Sequence, residues 1–213
     1  MTAIVDYGVG NLFSLRCSLE AIGDSPMITS DPEEIRKADR VILPGVGAFA
    51  DAVHKLQESG LNRIVLEAAD AGKPLLGICL GMQMLFEESL EYGVHRGLGL
   101  LKGTVRPIRE ILADHGADSE GKLKIPQMGW NSLRIRKESS LLREIPDGAY
   151  VYFVHSYAAD DCEDSLTADT EYGTFLTACV EKNNVFGCQF HPEKSGKVGL
   201  NILKSFVKME KNA

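Results

Sequence analysis

Pro74-Leu75-Leu76-Gly77-Ile78-Cys79-Leu80-Gly81-Met82-Gln83 is the stretch from which the fold can be read. An apolar run of strand length, 74–78, ends directly on Cys79, and a helix is expected over 82–88. Glycines stand two residues to either side of the cysteine. A residue carried on a sharp strand-to-helix turn needs such glycines, because side chains there would collide with the adjoining strand and helix. The turn would set the thiol at a helix N-terminus, where free N–H groups and the dipole favour thiolate. The N–H of Leu80 would then be placed to receive a developing oxyanion. A buried cysteine in a glycine-rich turn is the bland alternative, and the motif alone weighs the two about evenly.

On either side of this stretch the pattern continues, and the first half alternates short apolar runs with amphipathic segments. Strands are expected at 3–5, 26–29 and 41–43, and helices at 11–22, 31–38, 50–59 and 61–71. This alternation predicts an α/β fold, a mostly parallel, doubly wound sheet flanked by helices. The second half is richer in strands, at 100–108, 132–135, 150–157, 174–181 and 185–190, which predicts an antiparallel extension. A helix over 197–209 closes the chain, and the polar stretch 109–124 reads as an exposed loop or hairpin tip. One domain over 1–213 is expected.

Composition narrows the function classes. The 213 residues are 44% hydrophobic and 25% charged, as in ordinary globular proteins. Lys and Arg number 23 against 30 Asp and Glu, a net charge of -7, so a nucleic-acid partner is not expected. Arg134 and Arg136 read as the solvent face of a strand. No apolar run approaches the roughly 18 to 20 residues of a membrane span, and residues 1–8 lack the basic start of a signal peptide. Five scattered cysteines without a CxxC pair suggest neither disulfides nor structural zinc, and a cytoplasmic location is expected. Cys17, on the stripe of the first helix, and Cys179 and Cys188, in late strands, are expected in the core; Cys162, in an acidic loop, is incidental. Neither a metal nor a cofactor is implied.

An activated thiol usually needs a histidine, and that histidine an orienting group. His54 and His115 read as solvated, and His95 has no evident partner. His191 ends a strand and precedes Pro192, which forces it into an extended conformation, with Glu193 close enough to meet the imidazole. Strand ends are where α/β proteins place their sites.

These pieces, Pro44-Gly45-Val46-Gly47, Gly77-Ile78-Cys79-Leu80-Gly81-Met82-Gln83 and Gln189-Phe190-His191-Pro192-Glu193, stand in the order found in class I (triad) glutamine amidotransferases, which the chain resembles over nearly its whole length. Asp6-Tyr7-Gly8-Val9-Gly10-Asn11-Leu12, Met128-Gly129-Trp130-Asn131 and Tyr152-Phe153-Val154-His155-Ser156-Tyr157 point to the branch that serves histidine biosynthesis. The segment 109–122 looks longer than that branch usually has. The resemblance implies that Cys79 attacks the side-chain amide of L-glutamine, His191 moves the proton and Glu193 fixes its tautomer. It implies an oxyanion hole from the backbone N–H groups of Val46 and Leu80. It further implies glutamine contacts at Gly47, Gln83 and Glu91 and at the main chain of His155, Ser156 and Tyr157. In that branch the ammonia passes to a TIM-barrel cyclase subunit in a heterodimer, and Asn11, Trp130, Tyr152 and Lys194 match positions facing it. Two other readings stay open: a stand-alone cysteine amide hydrolase of the same fold, or a catalytically silent regulatory subunit.

Overall fold

The computed structural model describes residues 1–118 and 121–210. In chain order the elements are β1 (Thr2–Val5), α1 (Leu12–Ala21), β2 (Met27–Thr29), α2 (Pro32–Lys37), β3 (Arg40–Leu43), α3 (Phe49–Glu58), α4 (Leu61–Asp70), β4 (Leu75–Ile78) and α5 (Leu80–Gln83). There follow β5 (Phe86–Ser89), β6 (His95–Arg96), β7 (Leu101–Pro107), α6 (Ile108–Asp114), β8 (Gln127–Ser132) and β9 (Arg134–Ile135). The chain ends with β10 (Tyr150–His155), β11 (Tyr157–Asp160), β12 (Leu166–Tyr172), β13 (Thr174–Lys182), β14 (Val185–Cys188), a 3-10 turn at Pro192–Lys194 and α7 (Gly196–Val207).

The expected sheet is present. Eight strands run in the order β2-β1-β3-β4-β14-β13-β12-β9, parallel from β2 to β14 and antiparallel beyond. Alternate residues of its central strands feed opposite layers. Ala3, Val5, Val41, Leu43 and Leu75 join the core under α2, α3 and α4, whereas Ile4, Ile42, Leu76 and Ile78 join the core under α1 and α7. Burial on both faces explains why these strands read as continuous apolar runs. The strand order brings the C-terminal ends of β3, β4 and β14 side by side, and the segments quoted above leave the sheet from those three ends.

Several local expectations fail for identifiable reasons. The helix expected over 82–88 is one turn, α5, after which the chain becomes β5. Phe86 and Ser89 are buried and Glu87 is exposed, a spacing of three that itself resembles a helix, and it is the parallel pairing with β7, irregular between Phe86 and Glu88, that makes the segment a strand. The polar stretch 109–124 is not simply a loop: α6 occupies its first part and buries Ile108, Ile111 and Leu112 against Ala158 and Leu176. Its sequence period of three and four residues is short and was masked by the polar residues behind it. Ser119 and Glu120 of that stretch lie outside the described residues. The single strand expected over 150–157 breaks at Ser156: β10 pairs with β8 in a two-stranded sheet, while β11 crosses to a four-stranded sheet of order β11-β7-β5-β6.

Cys17 is exposed, not core, because it lies off the buried Leu15 and Leu19 side of α1. Cys162 is buried and contacts the Thr177 hydroxyl at 3.4 Å, and burial pushes its thiol up to about 11. Arg134 does more than face solvent. Its guanidinium forks onto the buried Asp169 with two contacts of 2.8 Å and lies 3.2 Å above the Phe175 ring. That pair explains why the polar segment 166–172 forms an interior strand and was missed as one.

Candidate active site

Cys79 takes φ 55 and ψ -112, a conformation most side-chain-bearing residues avoid. The sheet holds it there: its N–H donates to Cys188 O at 2.8 Å, extending the β4–β14 pairing to the turn. The two glycines are required by close approach. A Cβ on Gly81 would lie 1.9 Å from Leu43 O, and one on Gly77 would lie 2.7 Å from the backbone of Gly81 and Met82. A third glycine, Gly45, is equally confined, its Cβ position lying 2.7 Å from Gly81 N. The elbow therefore packs backbone on backbone against the end of β3. Leu80 opens α5, so its N–H has no intrahelical acceptor. One helical turn supplies little dipole, so the main cation at the thiol must be the histidine.

His191 leaves β14 through an extended residue, φ -96 and ψ 100, as the following proline requires. Its N–H donates to Tyr152 O at 2.9 Å, and Ser195 Oγ donates to its carbonyl at 2.7 Å. Nδ1 sits 2.9 Å from Glu193 Oε1, with both side chains almost fully buried. Burial alone would push the imidazole down. Hydrogen bonds to Cys79 and Glu193 outweigh it and hold the ring up at about 9, so it is protonated at neutral pH. His191 therefore lines the cleft with Cys79 and is bonded to Glu193 behind it, the three contributed by adjoining strand ends.

Val46, Gly47, Cys79, Leu80, Gln83, Glu91, His155, Ser156, Tyr157 and His191 all line one cleft of about 770 Å³. Glu193 stands behind His191 and does not line it. Gly47 has φ +95, so the peptide after Val46 can adopt orientations closed to other residues. Gln83 Nε2 donates to Tyr157 O at 3.0 Å and to Gln189 Oε1 at 2.9 Å, so its amide nitrogen is committed within the protein. Glu91 accepts the Phe49 N–H at 2.5 Å, capping α3 with one carboxylate oxygen. Ser156 O accepts the Ile108 N–H at 2.9 Å.

The His155 ring is buried and held low, at about 4, by burial, against its bond to Tyr157 O and with some repulsion from His191. A neutral ring donates once, here from Nδ1 to Tyr157 O at 2.8 Å, which leaves Nε2 an acceptor. Gln127 therefore belongs with its NH2 group toward Nε2, an orientation that also satisfies the amide nitrogen otherwise left without a partner.

The four positions matched to a partner face divide. Trp130 and Tyr152 are cross-strand neighbours with ring centroids 6.1 Å apart, and Lys194 Nζ stands 5.9 Å from the Tyr152 ring. With Met128 and Tyr150 exposed beside them, they form one apolar surface on the outer side of β8 and β10. Asn11 is at the N-cap of α1, outside this strand pair, and lines a small void with Val46, His191 and Glu193, the last directly before Lys194.

Three residues escaped the sequence reading. Gln189 is fully buried and its Nε2 lies 3.7 Å from Cys79 Sγ. Tyr7 donates to Pro44 O at 2.7 Å, anchoring the segment that carries Val46. Ser195 Oγ also accepts the Tyr152 N–H at 3.0 Å, tying the histidine turn to β10. For Gln189 and Tyr7 the only available signal was their place inside quoted motifs, and Ser195, two residues beyond Glu193, had none.

The sequence matches the glutamine amidotransferase class-I family over residues 3–209. A protein of Bacillus velezensis named imidazole glycerol phosphate synthase subunit HisH is 50% identical over 211 residues, 98% of this chain and 96% of the relative. The protein of the same name from Bacillus subtilis is 48% identical over 98% of this chain and 96% of its own length. Among solved structures, one described as a glutamine amidotransferase superposes with a TM-score of 0.72 at 18% identity, covering 97% of both chains. PurLQS from Thermotoga maritima superposes with a TM-score of 0.70 at 21% identity, covering 97% of both. At such identities the superpositions speak for the fold.

Proposed function

This chain belongs to the class-I glutamine amidotransferases, and from that premise we propose that it is the glutaminase subunit of an imidazole glycerol phosphate synthase. The observation that carries the reading is a cleft of suitable size lined by both Cys79 and His191, with His191 bonded to the buried Glu193 behind it. The reading treats residues 1–213 as one amidotransferase domain working in the cytoplasm. Among the described residues no helix is long and apolar enough to cross a membrane.

The Cys79 thiolate attacks the side-chain carbonyl carbon of glutamine. The N–H groups of Leu80 and Val46 take the oxyanion. His191, protonated at neutral pH, gives its proton to the departing nitrogen, and ammonia leaves as the γ-glutamyl thioester forms. The neutral imidazole then draws a proton from water, whose oxygen attacks the thioester and releases glutamate. Glu193 holds the Nδ1–H and stabilises the imidazolium in both steps. Gln83 and Glu91, with Gly47 and the segment 155–157, hold the substrate. Gln189 steadies the sulfur.

The ammonia passes to a TIM-barrel cyclase subunit, which makes imidazole glycerol phosphate and AICAR for histidine biosynthesis. The surface around Trp130, Tyr152 and Lys194 suits that partner. Aromatic anchors favour it, and Tyr152 is bonded through its backbone to His191 and Ser195, so docking there bears directly on the triad. The test is glutamate release by the chain alone, with the cyclase and its phosphorylated ligand, and with Cys79→Ala. Activity that needs partner and ligand and vanishes in the variant supports the reading. Full activity alone indicates a free-standing hydrolase, and none under any condition a silent subunit.

A further inference from the structure

Glutamine carries a carboxylate and an ammonium on its α-carbon, and a site that distinguishes it from other amides must meet both. The wall formed by α6 supplies a cation. The helix is pinned on its apolar side by Ile108, Ile111 and Leu112, and Arg106 ties its end to the sheet through Asp114 at 2.6 Å and Asp160 at 2.8 Å. That packing leaves Arg109, Glu110 and Ala113 on the face toward the cleft. Arg109 is the only Lys or Arg among the described residues that line the cleft, and it makes no ion pair or hydrogen bond with any of them. Negative charge is already present on the wall nearby: burial first, then the charge of Glu91 and, more weakly, of Glu110, raises the Tyr157 phenol. An unpaired guanidinium lining the same cleft as these carboxylates matches the two charges of an α-amino acid.

We propose that Arg109 binds the α-carboxylate of glutamine, so that the segment 109–122 contributes a specificity-determining residue to the site. The inference rests on the glutaminase reading above. The planar guanidinium suits a carboxylate, which it can grip through two parallel hydrogen bonds. Glu91, fixed by the Phe49 N–H, has its second oxygen available for the ammonium.

The test compares L-glutamine with its α-methyl ester, which removes the carboxylate charge and keeps the side-chain amide. Ammonia release is measured for the chain assembled with its cyclase, as wild type, Arg109→Ala and Arg109→Lys. Wild type is expected to favour glutamine over the ester about ten- to hundredfold in kcat/KM, the range of a hydrogen bond to a charged group. Arg109→Ala should raise the KM for glutamine by a similar factor, leave kcat nearly unchanged and abolish the preference, with partial recovery in Arg109→Lys. Retention of the full preference by Arg109→Ala overturns the assignment while leaving the glutaminase reading intact. Absence of ammonia release from either substrate by wild type overturns both.

Discussion

Replacing Glu193 by Gln isolates one charge in the triad. The amide keeps the shape and can still accept the Nδ1–H of His191 through its oxygen, so the ring stays in place while the carboxylate charge is lost. In the structure that carboxylate is buried, lies 2.9 Å from Nδ1, and has its other oxygen without a partner among the described residues. His191 is thus its hydrogen-bonded counterpart. A hydrogen bond between charged groups contributes about 1.5–3 kcal/mol, and at about 1.4 kcal/mol per pKa unit its loss lowers His191 by about 1–2 units. From about 9, the ring would then titrate at about 7–8. In the proposed mechanism the imidazolium is the form that protonates the leaving ammonia, and it is lost as pH rises through the folded pKa. The alkaline limb of the kcat/KM profile should therefore move toward neutrality by the same amount, and activity at pH 8 should drop about two- to tenfold. Two assays check this: NMR titration of the His191 ring carbons in the isolated chain, and glutamate release against pH in the assembled enzyme. A His191 titration and an alkaline limb both unmoved in Glu193→Gln would refute the role given to the carboxylate.

Gly81→Ala should cost more than about 3 kcal/mol, because its Cβ meets backbone at 1.9 Å that cannot rotate away; urea denaturation checks this, and a wild-type midpoint would contradict the backbone-on-backbone packing of the elbow. His155 sets an acid limit on stability. Unfolded, it titrates near about 6.5, and folded at about 4, so between these values the unfolded chain binds more protons and stability falls as pH drops, by up to about 3 kcal/mol. Urea midpoints from pH 7 to 4 should show this loss, reduced in His155→Gln. Trp130→Ala should weaken cyclase binding by about 2 kcal/mol, roughly thirtyfold in Kd, measured by calorimetry. Unchanged affinity would move the partner surface away from β8 and β10.

The central sheet was legible in the amino-acid order alone, and so was the chemistry proposed for its edge. Strands buried on both faces leave continuous apolar runs, and β1, β3 and β4 could be read from them to within a residue. Gly77 and Gly81 announced the elbow because only glycine fits where backbones touch, and His191-Pro192 announced an extended strand end because proline dictates it. What depends on partners distant in the chain was not legible. Cys17 and Cys162 exchanged their expected environments, since burial is decided by which face of an element meets the core. The segment 166–172 looked too polar for an interior strand until Arg134 arrived to pair with Asp169. Residues 86–89 became a strand because β7 offered an edge, and 108–114 folded over the cleft because three apolar side chains found Ala158 and Leu176. Short elements carry too few residues to fix their own period, so their conformation is set by the surface they pack against. Tertiary structure therefore decided the walls of the cleft, including the placement of Arg109, whereas the turn at Cys79 and the extended His191 were fixed locally by steric rules that glycine and proline write into the chain.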